Sequence, residues 1–276
     1  MMQESFITAL TDAATADPRI RAAWLAGSYG KGSADRWSDV DAHLLIDPAR
    51  IDDFRAGVRS WLEALAPLVL YRLLFGGEMV NAMTDEGLRL DLWLHSGESA
   101  EVVEGQTRVL HAAEGALVWL PHPGTLLSQP EAAAELERAI PEFWRCIAML
   151  PVPLGRDEKL IGAAGNFLIL LLLTDVLSVQ SGIRKDRGVK ALNSFLPPDY
   201  RRLAEDATSL PALTRENLAR FQLRLAQIMQ EHAPTICARW NVDYPQALED
   251  AALRYVASEL RQMGFGATLE ELHHLP

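Results

Sequence analysis

The stretch from Trp24 to Ile46, WLAGSYGKGSADRWSDVDAHLLI, constrains this chain more than any other. It reads as an apolar strand from Ala22 to Ala26, a Gly-Ser turn at Gly27 and Ser28, a glycine-containing connector, and a second strand carrying Asp39 and Asp41. Side chains two apart on a strand share a face, so Asp39 and Asp41 project together while Val40 and Ala42 turn towards a core. Neighbouring carboxylates repel each other unless a cation sits between them. An all-oxygen ligand set suits a hard ion such as Mg²⁺. The Gly-Ser turn offers what the carboxylates lack, backbone N–H groups and a hydroxyl for a chain of phosphates. Phosphates bridged to metal by paired aspartates make a phosphoryl- or nucleotidyl-transfer arrangement. Asp-x-Asp alone is more often a solvated strand edge, and Gly-Ser alone a plain turn. Their combination at this spacing carries the expectation. Downstream, LRLDLWLH (Leu88 to His95) alternates as a strand with Asp91 in its middle. A carboxylate between Leu90 and Leu92 is costly to desolvate without a partner, and a third ligand to the same ions would explain it.

Gly27-Ser28, Asp39-Val40-Asp41 and the later strand Asp91 resemble the nucleotidyltransferase superfamily that includes DNA polymerase beta. The wider chain resembles its antibiotic-modifying members, the aminoglycoside 6-adenylyltransferases and lincosamide nucleotidyltransferases. The segments that carry this are DEGLRLDLWLH (Asp85 to His95), EFW (Glu142 to Trp144), Arg156-Asp157-Glu158 and KALNSFLPPDYRRL (Lys190 to Leu203). The resemblance implies Mg²⁺-dependent transfer of an NMP, AMP from ATP in the first instance, to a hydroxyl of a small molecule such as an aminoglycoside or lincosamide. Asp39 and Asp41 would hold two Mg²⁺ ions, with Asp91 completing the nucleophile-side ion. Gly27 and Ser28 would hold the β- and γ-phosphates, and Lys31 would add charge to the triphosphate or simply face solvent. The resemblance also implies Glu158 as the general base, ahead of Glu142. The plain alternative for both is an acid favoured by a helix dipole, and Asp91 itself could take the proton. Arg156 is expected at phosphate or paired with a neighbouring acid. Relatives that complete the cleft with a second subunit make a homodimer one reading of the oligomeric state, which the sequence leaves open.

Other groups near the motif keep two readings. Trp37, Trp93 and Tyr29 could stack on a nucleobase or belong to the core. His43 is in phase with the aspartates but is expected to be a satisfied strand histidine. Arg184, Lys185, Arg187 and Lys190 form a basic cluster, expected at the surface rather than at triphosphate.

The formal net charge of −11 argues against a nucleic-acid groove and favours a cationic acceptor. The N-terminus lacks a basic region followed by an apolar one, so no signal peptide is expected. Cys146 and Cys237 lack metal-ligand spacing and read as reduced core thiols of a cytoplasmic protein. Leu160 to Val179 is long and apolar enough to raise a membrane span, but Asn166, Thr174 and Asp175 interrupt it. A buried central helix of a bundle is expected instead.

The expected fold class is α+β: an N-terminal nucleotidyltransferase α/β domain with a mixed sheet (1–125), then a C-terminal all-α bundle for substrate (126–276). An N-terminal helix to Asp17-Pro18 precedes the motif strands, and a helix runs from Ile51 to Leu65. Val69 to Phe75, Glu78 to Thr84 and the Asp91 strand read as an antiparallel meander. Pro121, Pro123, Gly124 and Pro130 mark a linker, Pro141 a helix break, and Pro151, Pro153 and Gly155 a loop. Long helices follow over about 157–181, 215–232 and 244–263. Two rival functions stay open. One is a protein-modifying nucleotidyltransferase of the toxin–antitoxin kind, disfavoured by the long helical half. The other is a non-catalytic nucleotide-binding module, disfavoured by the third aspartate.

Overall fold

The computed structural model describes residues 2–185, 189–208, 212–266 and 268. The chain divides into two compact units, Met1–Gly124 and Thr125–Pro276.

In the first unit the period-two alternation becomes eight strands: β1 (Ile20–Leu25), β2 (Val40–Ile46), β3 (Leu68–Leu74), β4 (Met79–Thr84), β5 (Arg89–Ser96), β6 (Ala100–Val103), β7 (Arg108–Ala112) and β8 (Leu117–Leu120). Six of them form one sheet in the order β3-β4-β5-β2-β1-β7, and β6 pairs with β8 in a separate two-stranded sheet. The six-stranded sheet is mixed, because β2 and β5 run parallel while β3, β4 and β5 form the antiparallel meander. A parallel pair needs a crossover, and helix α3 (Ile51–Glu63) begins it. Its buried stripe Ile51, Phe54, Val58 and Leu62 repeats at helical spacing. With Phe6, Ile7 and Leu10 of helix α1 (Met2–Ala16), it packs on the sheet face made by Val40, Ala42, Leu44, Leu90 and Leu92. The opposite face is left to Asp41, His43, Asp91 and Trp93, all half-buried.

Three local expectations are corrected here. Strand β2 starts at Val40, so Asp39 immediately precedes the strand instead of lying on it. Gly27-Ser28 opens a four-residue helix, α2 (Gly27–Gly30), rather than a plain turn. Strands β6, β7 and β8 have no counterpart in the expectation, because runs of four or five residues are too short for alternation to register.

The second unit is helical: α4 (Gln129–Ile147), α5 (Pro151–Gly155), α6 (Lys159–Val179), α7 (Pro198–Ala207), α8 (Arg215–Arg239) and α9 (Gln246–Gln262). Pro130 is not linker but lies in the first turn of α4, where its missing N–H costs nothing. Ser128 caps that helix, its backbone N–H donating to Glu131 Oε2 at 2.9 Å. Pro141 sits inside α4 without ending it, and the segment Pro151 to Gly155 is helix rather than loop. Among the described residues α6 is the one helix long and apolar enough to cross a membrane. Its second half is buried, but Leu160, Ile161 and Phe167 are exposed, so it is not the wholly buried central helix expected.

A polar chain ties three helices together inside this unit. Trp144 Nε1 donates to Tyr244 Oη at 2.9 Å, Tyr244 donates to Glu249, and Gln230 Nε2 donates to the other Glu249 oxygen at 2.9 Å. Burial, then the bond to Glu249, holds the Tyr244 phenol far above its ordinary pKa. Of the basic cluster, Arg184 pairs with Glu131 at 3.1 Å and Lys185 with Asp175 at 2.6 Å. The side chains of Arg187 and Lys190 lie outside the described residues.

Candidate active site

Strand register brings the aspartates together. The parallel β2–β5 ladder sets Asp41 directly beside Asp91, and the β4–β5 ladder sets Asn81 beside Asp91. Asn81 Nδ2 donates to Asp91 Oδ1 at 2.7 Å, which fixes that carboxylate and leaves its second oxygen for another partner. Asp39 stands two residues upstream of Asp41, and Asp39, Asp41 and Lys31 are all engaged in interactions.

The Gly-Ser segment and the carboxylates are physically joined. Gly27 adopts a φ of 55°, and a Cβ built on it would fall 1.9 Å from Asp41 Oδ2. The Asp41 carboxylate therefore rests on the Gly27 backbone in space that any side chain would take. The Ala26 N–H adds a bond to the Asp41 carbonyl at 2.9 Å. Gly30 is required for a different reason: a Cβ there would lie 2.2 Å from the Gln106 carbonyl oxygen and 2.8 Å from that of Leu25. First-turn N–H groups of a helix have no intrahelical acceptor, so Gly27 and Ser28 can donate to an anion.

Among the described residues no three His, Cys, Asp or Glu side chains converge into a closed metal cluster. What the fold assembles is the Asp41–Asp91 pair with Asp39 just ahead of it. In donor chemistry this set fits a hard divalent cation: it is all oxygen, its two strand members are in register, and one is oriented by an amide.

A row of stacked rings adjoins the carboxylate row. Trp24 stacks on His43 at 5.2 Å between centroids, His43 lies 6.3 Å from Trp93, and Trp93 stacks on Phe75 at 5.5 Å. Trp93 is thus already in stacking contact with two neighbours. Tyr29 is buried in the core, and Trp37 is exposed on the connector, its carbonyl accepting from Arg89 Nη2 at 2.5 Å.

His43 Nδ1 lies 2.9 Å from His95 Nε2, a hydrogen bond that needs one of these nitrogens unprotonated. Burial, and then the neighbouring His95, lowers the His43 pKa from 6.5 to about 4. Burial also lowers that of His95, against an opposing pull from Glu78. A depressed histidine pKa means that the unfolded chain binds more protons between the two values. The stabilisation is therefore complete above pH 6.5 and is lost as pH falls towards about 4. Its size is on the order of 3 kcal/mol. His43→Phe, which keeps a stacking ring and removes the titration, is expected to flatten the melting temperature between pH 4 and 6.5. A thermal-melt series across that range checks it, and an unchanged slope would refute the role of His43.

Arg156, Glu158 and Glu142 belong to the helical unit. Glu158 is the N-cap residue of α6, is exposed, and makes no side-chain capping bond; its place at the helix N-terminus is where the dipole favours an acid. Arg156, also exposed, lines a pocket together with Glu158. Glu142 is bound by Arg145 at 2.6 Å, which holds its carboxyl below the usual range and makes it a poor proton acceptor. Sequence reasoning passed over Asn81 and His95. The one available signal for Asn81 was a polar residue at the middle of an apolar strand, EMVNAMT.

A family model described as streptomycin adenylyltransferase matches residues 1–259. None of the curated proteins matches. Among solved structures the chain is similar to an aminoglycoside 6-adenyltransferase from Bacillus subtilis, with 14% identity and a TM-score of 0.43 over 92% of this chain and 97% of that one. With its model matched over nearly the whole length, the chain belongs to the streptomycin adenylyltransferase family, and it is therefore a nucleotidyltransferase with a nucleoside triphosphate as co-substrate.

Proposed function

We propose that the chain moves AMP from ATP to a hydroxyl of a small-molecule antibiotic, the family's name pointing to streptomycin or a related aminoglycoside. The observation that carries the site assignment is the Asp41 carboxylate seated on Gly27 and in register with Asp91. In this reading the N–H groups of Gly27 and Ser28 and the Lys31 ammonium receive the triphosphate. Asp39, Asp41 and Asp91 hold Mg²⁺, with Asn81 orienting Asp91. Bound Mg²⁺ supplies neutralisation of phosphate charge as a Lewis acid. The acceptor oxygen bonds to the α-phosphorus, the bond to the β-phosphate bridging oxygen breaks, and pyrophosphate leaves with that electron pair. Glu158 is assigned the hydroxyl proton; being exposed and without a fixed partner, it is free to accept one. Little covalent work falls to the protein, so positioning and charge dominate the rate.

The experiment is to incubate the protein with Mg²⁺, each of the four ribonucleoside triphosphates and a panel of aminoglycosides and lincosamides. Pyrophosphate release and the mass gain of the acceptor are followed. One acceptor gaining one nucleotidyl group is the expected result. No release with any pair, together with no binding of Mg²⁺-ATP, would overturn the assignment.

A further inference from the structure

Between the end of α4, α5 and the first half of α6, the helical unit contains a pocket of about 550 Å³. Its walls are apolar, formed by Met149, Val152, Pro153, Ile161, Leu168 and Ile169. The space exists because α6 carries a glycine on this side: a Cβ built on Gly165 meets no atom within 4 Å.

The floor is polar. Gln222 of α8, only 3% exposed, lines the pocket, and its Nε2 donates to the Cys146 and Ile147 carbonyls, both at 3.3 Å. Those carbonyls end α4 and also accept the Met149 and Leu150 N–H groups, so Gln222 adds a second donor to each and is anchored by its nitrogen. Among the described residues nothing donates to Gln222 Oε1. Gln222 Oε1 keeps contact with solvent in the pocket, where an arriving donor would take the place of water. Arg156 and Glu158, both exposed, also line this pocket, and neither makes an ion pair among the described residues.

We propose that this pocket binds a small amphipathic molecule: an apolar ring or short chain bearing hydroxyl or amine donors. The apolar body fills the space beside Gly165, one donor reaches Gln222 Oε1, and the remaining polar groups meet Glu158 and Arg156. A polycation without an apolar body does not fit, because apolar walls would strip water from charges that one carboxylate cannot balance. A sugar without an apolar body leaves the walls wet. The pocket takes in Glu158, to which the proposed transfer assigns the acceptor proton, but the rest of its lining belongs to the helical unit alone, so binding is measured without triphosphate and can fail separately from transfer.

The probe is monomeric n-octyl β-D-glucoside below its micelle-forming concentration, titrated calorimetrically into the intact chain, with glucose and spermine as controls. Saturable binding of the octyl glucoside is expected, with neither control displacing it. Gly165→Leu fills the empty space with a better helix former and is expected to weaken binding at least about tenfold at an unchanged melting temperature. Gln222→Met keeps the side-chain shape, removes the oxygen and is expected to weaken binding several-fold; it also decides the matter if Gly165→Leu does not fold. Equal affinity in wild type and both variants, displacement by spermine, or no saturable binding would overturn the proposal.

Discussion

Asp41→Asn is expected to lower kcat by about a thousandfold or more while leaving the fold intact. The substitution keeps shape and volume and removes one charge from the pair that strand register places side by side. Because like charges at this spacing repel, the metal-free variant should melt at the same temperature as the wild type or slightly higher. Added Mg²⁺ should raise the melting temperature of the wild type and not that of the variant, since only a ligand bound to the native state stabilises it. That second readout separates a metal role from a merely structural one. Retained turnover, or an equal Mg²⁺ response in both proteins, would refute the role given to Asp41.

The second large effect concerns a position with no functional group. Gly27→Ala is expected to cut kcat/KM by about a hundredfold, through displacement of the carboxylate it supports rather than through loss of a contact. Two penalties combine there. A φ of 55° is disfavoured for any residue with a Cβ, at about 1 kcal/mol. The new Cβ would also fall 1.9 Å from Asp41 Oδ2, so the carboxylate must move out of register with Asp91. Gly32 supplies the control. It has a φ of 67°, yet nothing lies within 4 Å of its would-be Cβ. Gly32→Ala should therefore carry the backbone cost alone and keep most of the activity. Steady-state kinetics on both variants separates the two causes, and equal losses would show that the Gly27–Asp41 contact is unimportant.

Much of the architecture could be read along the chain because its causes are local. Alternation in LRLDLWLH marks a strand with one polar face, and the stripe Ile51, Phe54, Val58 and Leu62 marks a helix with one apolar face. The errors are equally local in origin. Pro151 to Gly155 looked like a loop from its prolines, yet Pro tolerates the first helical turn, and a helix this short shows no periodicity. The strands beyond Ser96 were missed because they are short and because Val118 and Trp119, on opposite faces of β8, are both apolar and exposed, which hides the alternation. The apolar run in α6 suggested burial on all sides, whereas half of that helix leaves its apolar side chains exposed around a pocket.

The site divides along the same line. The types of its residues and the spacing of Asp39 from Asp41 were legible, since a two-residue step on a strand needs no partner to define it. That Asp91 joins them was expected from its desolvation cost and from the resemblance, but its direct pairing with Asp41 was not, because it depends on a parallel ladder closed across about fifty intervening residues. A one-residue slip in that ladder would turn Asp91 to the other face. Nor could the chain announce that Gly27 is bare because Asp41 occupies its side-chain space, or that Asn81 steadies Asp91 and His95 meets His43. Covalent order sets which groups are available and which faces they can share. The choice of neighbours is made by hydrogen-bond register and close packing, which exist only once the sheet is formed.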